Sequence, residues 1–245
     1  MTTTEIVIVV IMAAVAALVK STTGMGFPLV LLPILALFND VAEAVVILAP
    51  ANLFLNFWLV ISTRHERHNL PKLARFTVPG AMTTVLGAVL LPILPGTLMR
   101  LLLVGIIVMF LANQLSGRSL EVSEARAAQL SPVVGGVAGV FQGAASVAGP
   151  IVTPWFLTLG LTRDTLVHAL ASFFALTGII QFVIFAIRGV LTVRLVGLGI
   201  ALIPVAFLMF PLGVQIRKRI SLVAFKRLVL FLLAGSAVSL LVRIL

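Results

Sequence analysis

Lys20-Ser21-Thr22-Thr23-Gly24-Met25-Gly26-Phe27-Pro28 is followed 122 residues later by Gln142-Gly143-Ala144-Ala145-Ser146-Val147-Ala148-Gly149-Pro150. Each stretch interrupts a long apolar run, residues 5–38 and 130–160, that exceeds one bilayer crossing of about 20 residues. Proline inside a helix removes a backbone hydrogen bond, and glycine costs about 1 kcal/mol there, so both stretches are expected to unwind. Pro28 and Pro150 each suit the first turn of a new helix, where the missing N–H is not needed. Unwound backbone at membrane depth persists only where protein or a wet cavity covers it.

Outward from these breaks, six further apolar segments follow at 41–62, 73–94, 98–115, 164–187, 192–212 and 228–244. Of the 245 residues 61% are hydrophobic and 10% charged, far from a soluble domain, so a soluble enzyme is excluded. The fold class expected is an all-α polytopic membrane protein. Cysteine is absent, so there is neither a disulfide framework nor a thiolate metal site. The stretch before the first apolar run lacks Lys and Arg, which argues against a cleavable signal peptide.

Aligning Pro28 with Pro150 also brings Pro33 within one position of Pro154 and Glu43 within one of Asp164. The chain therefore reads as two repeats, 1–120 and 121–245, each a broken hairpin followed by three helices. The net charge of +10 sits mostly in short connections, where membrane topology explains it and nucleic-acid binding is not required. The densest basic connections, 63–75 and 213–227, both belong in the cytoplasm by the positive-inside rule, together with 116–129. That holds only if the repeats are inverted and each broken segment enters and leaves on one side. The half-helices 28–38 and 150–160 would rise roughly 16 Å, about half of a ~30 Å hydrocarbon core, so their tips are expected near the midplane.

Inverted repeats with broken helices at the midplane are the architecture of secondary transporters, where uncapped helix N-termini favour anions. The candidate substrate-binding residues are Lys20, Ser21, Thr22, Thr23, Gly24 and Gly26 in the first break, and Gln142, Gly143, Ser146 and Gly149 in the second. Asn52 and Asn56 share a helix face, as do Thr177 and Gln181, and His168 and Ser172. An oxyanion suits many neutral donors and limited positive charge, and an intramembrane lysine is read as functional by default. Packing and local backbone bonding are the competing readings for the small and hydroxylated residues, and snorkelling is the one for Lys20. His168 is a proton-coupling candidate, set against an ordinary interfacial histidine. The seven acidic residues fall at segment ends or in loops, which argues against a cation pump or metal site. No catalytic constellation is present and no cofactor is expected. The partners are a small anion and the lipid bilayer; oligomeric state is not readable from the sequence.

The run Gly24-Met25-Gly26-Phe27-Pro28 through Pro33, and its second copy Gly143 to Gly149-Pro150 and Pro154, resembles the motifs of the sulfite exporter TauE/SafE family, also described as TSUP or probable membrane transporter proteins. The resemblance carries over to Gly24, Gly26, Pro33, Gly149 and Pro154. It implies a bacterial-type inner-membrane carrier exporting sulfur-containing anions such as sulfite or organosulfonates. An anion channel and a non-transporting scaffold are the alternative readings.

Overall fold

The computed structural model describes residues 2–70, 73–116, 124–219 and Ala234, and all regular elements among them are helical. They are α1 (Thr3–Thr23), α2 (Phe27–Phe38), α3 (Val41–Ser62), a 3-10 helix (Arg64–Asn69), α4 (Ala74–Leu90), α5 (Gly96–Ser116), α6 (Glu124–Ala145), α7 (Gly149–Leu157), α8 (Arg163–Ile187) and α9 (Val193–Arg219). The expected segment 228–244, apart from Ala234, lies outside the described residues, as do 117–123 and 220–227.

Both breaks are present. The run 5–38 divides into α1 and α2 at Gly24–Gly26, and 130–160 divides into α6 and α7 at Ser146–Ala148. Several boundaries differ from expectation, among them the end of α4 at Leu90 rather than at 94. α7 stops at Leu157 because Thr158, Leu159 and Gly160 turn back onto carbonyls three residues earlier, ending in left-handed Gly160. Stretches 116–129 and 213–227 are not loops throughout, since α6 starts at Glu124 and α9 runs to Arg219. Charged residues mark where a chain leaves the bilayer, but a carboxylate suits a helix start and Lys/Arg suit its last turn, so the helices continue through them.

Among the described residues, four helices are long and apolar enough to cross a membrane: Thr3–Thr23, Val41–Ser62, Asp164–Ile187 and Val193–Gly213. Their outer faces carry large exposed side chains such as Ile6, Ile11, Ile61, Ile179, Ile187 and Leu208, surface that suits lipid rather than water. The protein is a multi-pass membrane protein.

The chain forms two compact units that do not follow its halves. The first holds α1, α2, α3 up to Asn52, α5 and α9; the second holds α3 from Leu53, the 3-10 helix, α4, α6, α7 and α8. In the first unit α1 packs on α2 and on α9. Ala13, Ala16 and Ala17 of α1 are fully buried, and Gly213 of α9 leaves room for Ser21, which a Cβ there would strike. α2 is apolar all round and buried along most of its length, as expected of a helix surrounded by protein. A capping box between Thr2 and Glu5 starts α1, with Thr2 N–H donating to Glu5 Oε2 at 2.8 Å.

In the second unit α4 and α6 lie backbone to backbone. A Cβ on Gly135, Gly139 or Gly143 would fall on the carbonyl of Phe76, Gly80 or Thr84, and one on Gly87 would fall on that of Val140. Thr83 Oγ1 crosses the same seam, donating to the Gly136 carbonyl at 2.6 Å. Small residues at four-residue spacing are how membrane helices approach this closely. Phe76, Phe156 and Phe173 meet edge to face beside that seam.

Candidate functional site

In the first unit α1 ends where Gly24, with φ 80°, returns its N–H to the Lys20 carbonyl at 2.7 Å. Gly26 then caps α2 with φ 106°, and Val19 fills the space a Cβ would need. Both dihedrals lie where a side chain is strained, so glycine is what permits so short a reversal. α2 opens on Phe27 and Pro28 with no side chain capping it. Its first N–H groups therefore keep the partial positive charge of a helix start.

Lys20 occupies the last turn of α1 and is 1% exposed. Its Nζ donates to Asn52 Oδ1 at 3.3 Å, a neutral amide rather than a carboxylate. None of the carboxylates among the described residues is buried. Asn56, one turn further along α3, is fully buried as well.

The hydroxyls of this break are bonded locally. Ser21 Oγ donates to the Leu18 carbonyl at 3.0 Å, and Thr22 Oγ1 lies 2.8 Å from that of Val19. Thr23 Oγ1 bridges the Val19 and Met25 carbonyls at 2.9 and 2.8 Å and accepts from Met25 N–H. A hydroxyl has one proton, so in this arrangement these three offer an incoming anion no donor.

The second break has a different character. Ser146 takes the left-handed turn with φ 57°, at the register of Gly24 in the first. Gln181, 2% exposed on α8, donates through Nε2 to the carbonyls of Gln142 and Gly143, both at 2.9 Å. Its Oε1 accepts from Ser146 Oγ at 3.0 Å. Gln181 thus holds the end of α6 in place, and both ends of its amide are engaged. Gly143 faces α4 across the close seam, and Thr177 Oγ1 donates to the Phe173 carbonyl at 2.7 Å. Gln142 is fully buried, and neither Nε2 nor Oε1 has a hydrogen-bond partner among the described residues. Gly149 opens α7, which also lacks a side-chain cap.

His168 and Ser172 share a face of α8, with Ser172 half-buried. His168 is placed with the start of the 3-10 helix rather than with the break. Its Nδ1 lies 2.9 Å from Thr63 Oγ1, whose own proton goes to the Leu59 carbonyl at 2.6 Å. The Thr63 oxygen therefore accepts, which puts a proton on Nδ1. One turn away, Thr165 Oγ1 donates to Glu66 Oε2 at 2.7 Å. Glu66, Thr63 and Thr165 were not singled out from the sequence, because residues about a hundred positions apart leave no spacing signal.

Apolar helices long enough to span a bilayer, with two apolar runs broken at buried polar turns, define a polytopic membrane protein. A family model for the sulfite exporter TauE/SafE proteins matches residues 9–240, and the chain belongs to that family. It is a family of membrane transporters rather than of enzymes. No curated protein and no solved structure matches the chain.

Proposed function

We propose that the protein is a secondary transporter of small sulfur oxyanions or organosulfonates, working by alternating access and built as an inverted repeat. The observation that carries this reading is Lys20, a fully buried amine in the last turn of α1 whose Nζ donates to the Asn52 amide, in a break whose second helix, α2, starts without a side-chain cap. A buried amine and uncapped helix N–H groups both suit an anionic ligand. Membership of a sulfite exporter family supports sulfur as the centre of that anion.

Two features support the inverted repeat. The positive-φ turns at Gly24 and Ser146 coincide when the chain is shifted by 122 residues. The partners coincide too, for α1 packs on α9, and α6 packs on α4, which the same shift exchanges. In this reading Lys20, Asn52 and the backbone N–H groups after Gly26 bind the anionic head. Asn56, Gln142, Ser146 and Gly149 are proposed as further ligand contacts, and Ser21, Thr22, Thr23, Ser172, Thr177 and Gln181 shape the breaks or exchange partners during the cycle. Any coupled proton passes through His168. The protein would lie in a bacterial-type inner membrane with the loops around 63–75, 116–129 and 213–227 inside.

The test is uptake of sulfite and short sulfonates by the purified protein in liposomes, wild type against Lys20→Met. Loss of a charge-assisted hydrogen bond should lower uptake at limiting substrate by about ten- to a hundredfold while the fold survives. Unsaturable current would favour a channel instead. Undiminished uptake in the variant, or none in the wild type, would overturn the reading.

A further inference from the structure

Lys20 and Gln142 hold the same place in the two breaks, yet one carries a cation and the other a neutral amide. Gln142 sits in the last turns of α6, fully buried, with neither amide end paired among the described residues. Buried amides are rarely left so, because desolvating a donor and an acceptor without replacing their water bonds is unfavourable. The polar groups beside it are committed elsewhere. Gln181 Nε2 is held by the carbonyls of Gln142 and Gly143, and Gln181 Oε1 by Ser146 Oγ. A leucine or methionine would serve packing alone without the penalty. The amide is therefore kept for something other than the fold.

A sulfonate or sulfate oxygen accepts hydrogen bonds and donates none. Placed against Gln142, it would satisfy Nε2 and leave Oε1 facing another lone pair. A hydroxyl both donates and accepts, and so satisfies both ends of one amide. We infer that Gln142 determines specificity by receiving a hydroxyl group of the ligand, which makes the substrate a small sulfonate that carries a C–OH group. This rests on the transport reading above and adds a neutral recognition point to it.

The pair ethanesulfonate and 2-hydroxyethanesulfonate tests this, since the two share charge and differ by one hydroxyl; the propane homologues repeat the comparison. Binding and uptake are measured on the full chain in liposomes, for wild type, Gln142→Leu and Gln142→Met. The wild type should favour the hydroxylated member by roughly ten- to a hundredfold. Both variants should bring the ratio near one, by weakening the hydroxylated ligand. Without ligand, both should unfold at or above the wild-type temperature, since they remove an amide that has no partner in the protein. Equal handling of each pair by the wild type, or a ratio the variants leave unchanged, overturns the inference and leaves anion transport standing. Lower unfolding temperatures in both variants also overturn it, by making the amide part of the fold. If none of the four sulfonates is bound while sulfite is carried, the hydroxyl inference alone fails. If sulfite too is neither bound nor carried, the transport reading fails with it.

Discussion

Ser146 and Gly24 end their helices in the same left-handed turn, but Ser146 does so with a Cβ. That conformation costs a side-chain-bearing residue about 1–2 kcal/mol. Its hydroxyl bond to Gln181 offsets part of this. Replacing Ser146 by Ala removes the bond and keeps the strain, whereas Gly removes both. The Gly variant should therefore be the more stable by about 1 kcal/mol, the reverse of the order inside a helix. Unfolding of both in detergent checks it, and an Ala variant equal to or above the Gly variant would contradict the turn. The polar residues of both breaks were legible as such, and helical spacing put Thr177 and Gln181 on one face. Where each proton points was not legible. Spacing locates a side chain on a face, but whether Thr22 donates outward or to Val19 depends on carbonyls only the folded turn exposes.

Between elements, the seam of α4 with α6 depends on absent side chains. Gly139→Ala would drive a methyl into the Gly80 carbonyl, and Gly87→Ala into that of Val140. Backbone cannot rotate aside as a side chain can, so each should destabilise by about 1–3 kcal/mol. Gly105→Ala on α5 is the control, because a Cβ there meets open space, and it should be neutral. Thermal unfolding of the three variants separates them; a neutral Gly139→Ala would mean the helices stand further apart. The spacing of Gly135, Gly139 and Gly143 was visible in the sequence, yet Gly143 was read there as room for a ligand. A glycine states that something comes close without saying what, and here it is the backbone of α4. Helix α3 was placed at its observed limits of 41–62, because Asp40 and the polar turn after Ser62 both break the apolar run. The ends of α6 and α9 were not, since charge halts an apolar run without halting a helix.

For the whole molecule, the interleaving of the units has a direct consequence for cutting the chain. Each unit draws on both sequence halves, α1 needing α9 and α6 needing α4. Halves separated between α5 and α6 should fail to resist proteolysis when expressed singly. Expressed together they should assemble and regain resistance, because every missing partner is then present. A first half that is stable alone would contradict this partition. Two prolines and their surroundings suggest a repeat, but the packing of α1 on α9 and of α6 on α4 leaves no mark in the sequence. Sequence similarity pairs α1 with α6, whereas packing pairs each with the fourth α-helix of the other half.

That pairing also sets an order in time. When α6 is made, α4 is already in the membrane, and α7 and α8 follow at once. α1 instead meets its partner only when α9 has been synthesised, about 190 residues later, which at ~5–20 residues per second is roughly 10–40 s. The second unit can thus close while the first still waits. During that interval α1 is without a helix that packs along it, and the Ser21 turn next to Lys20 is without Gly213. Among the described residues, the last helix to arrive is the one that packs on the lysine's own helix.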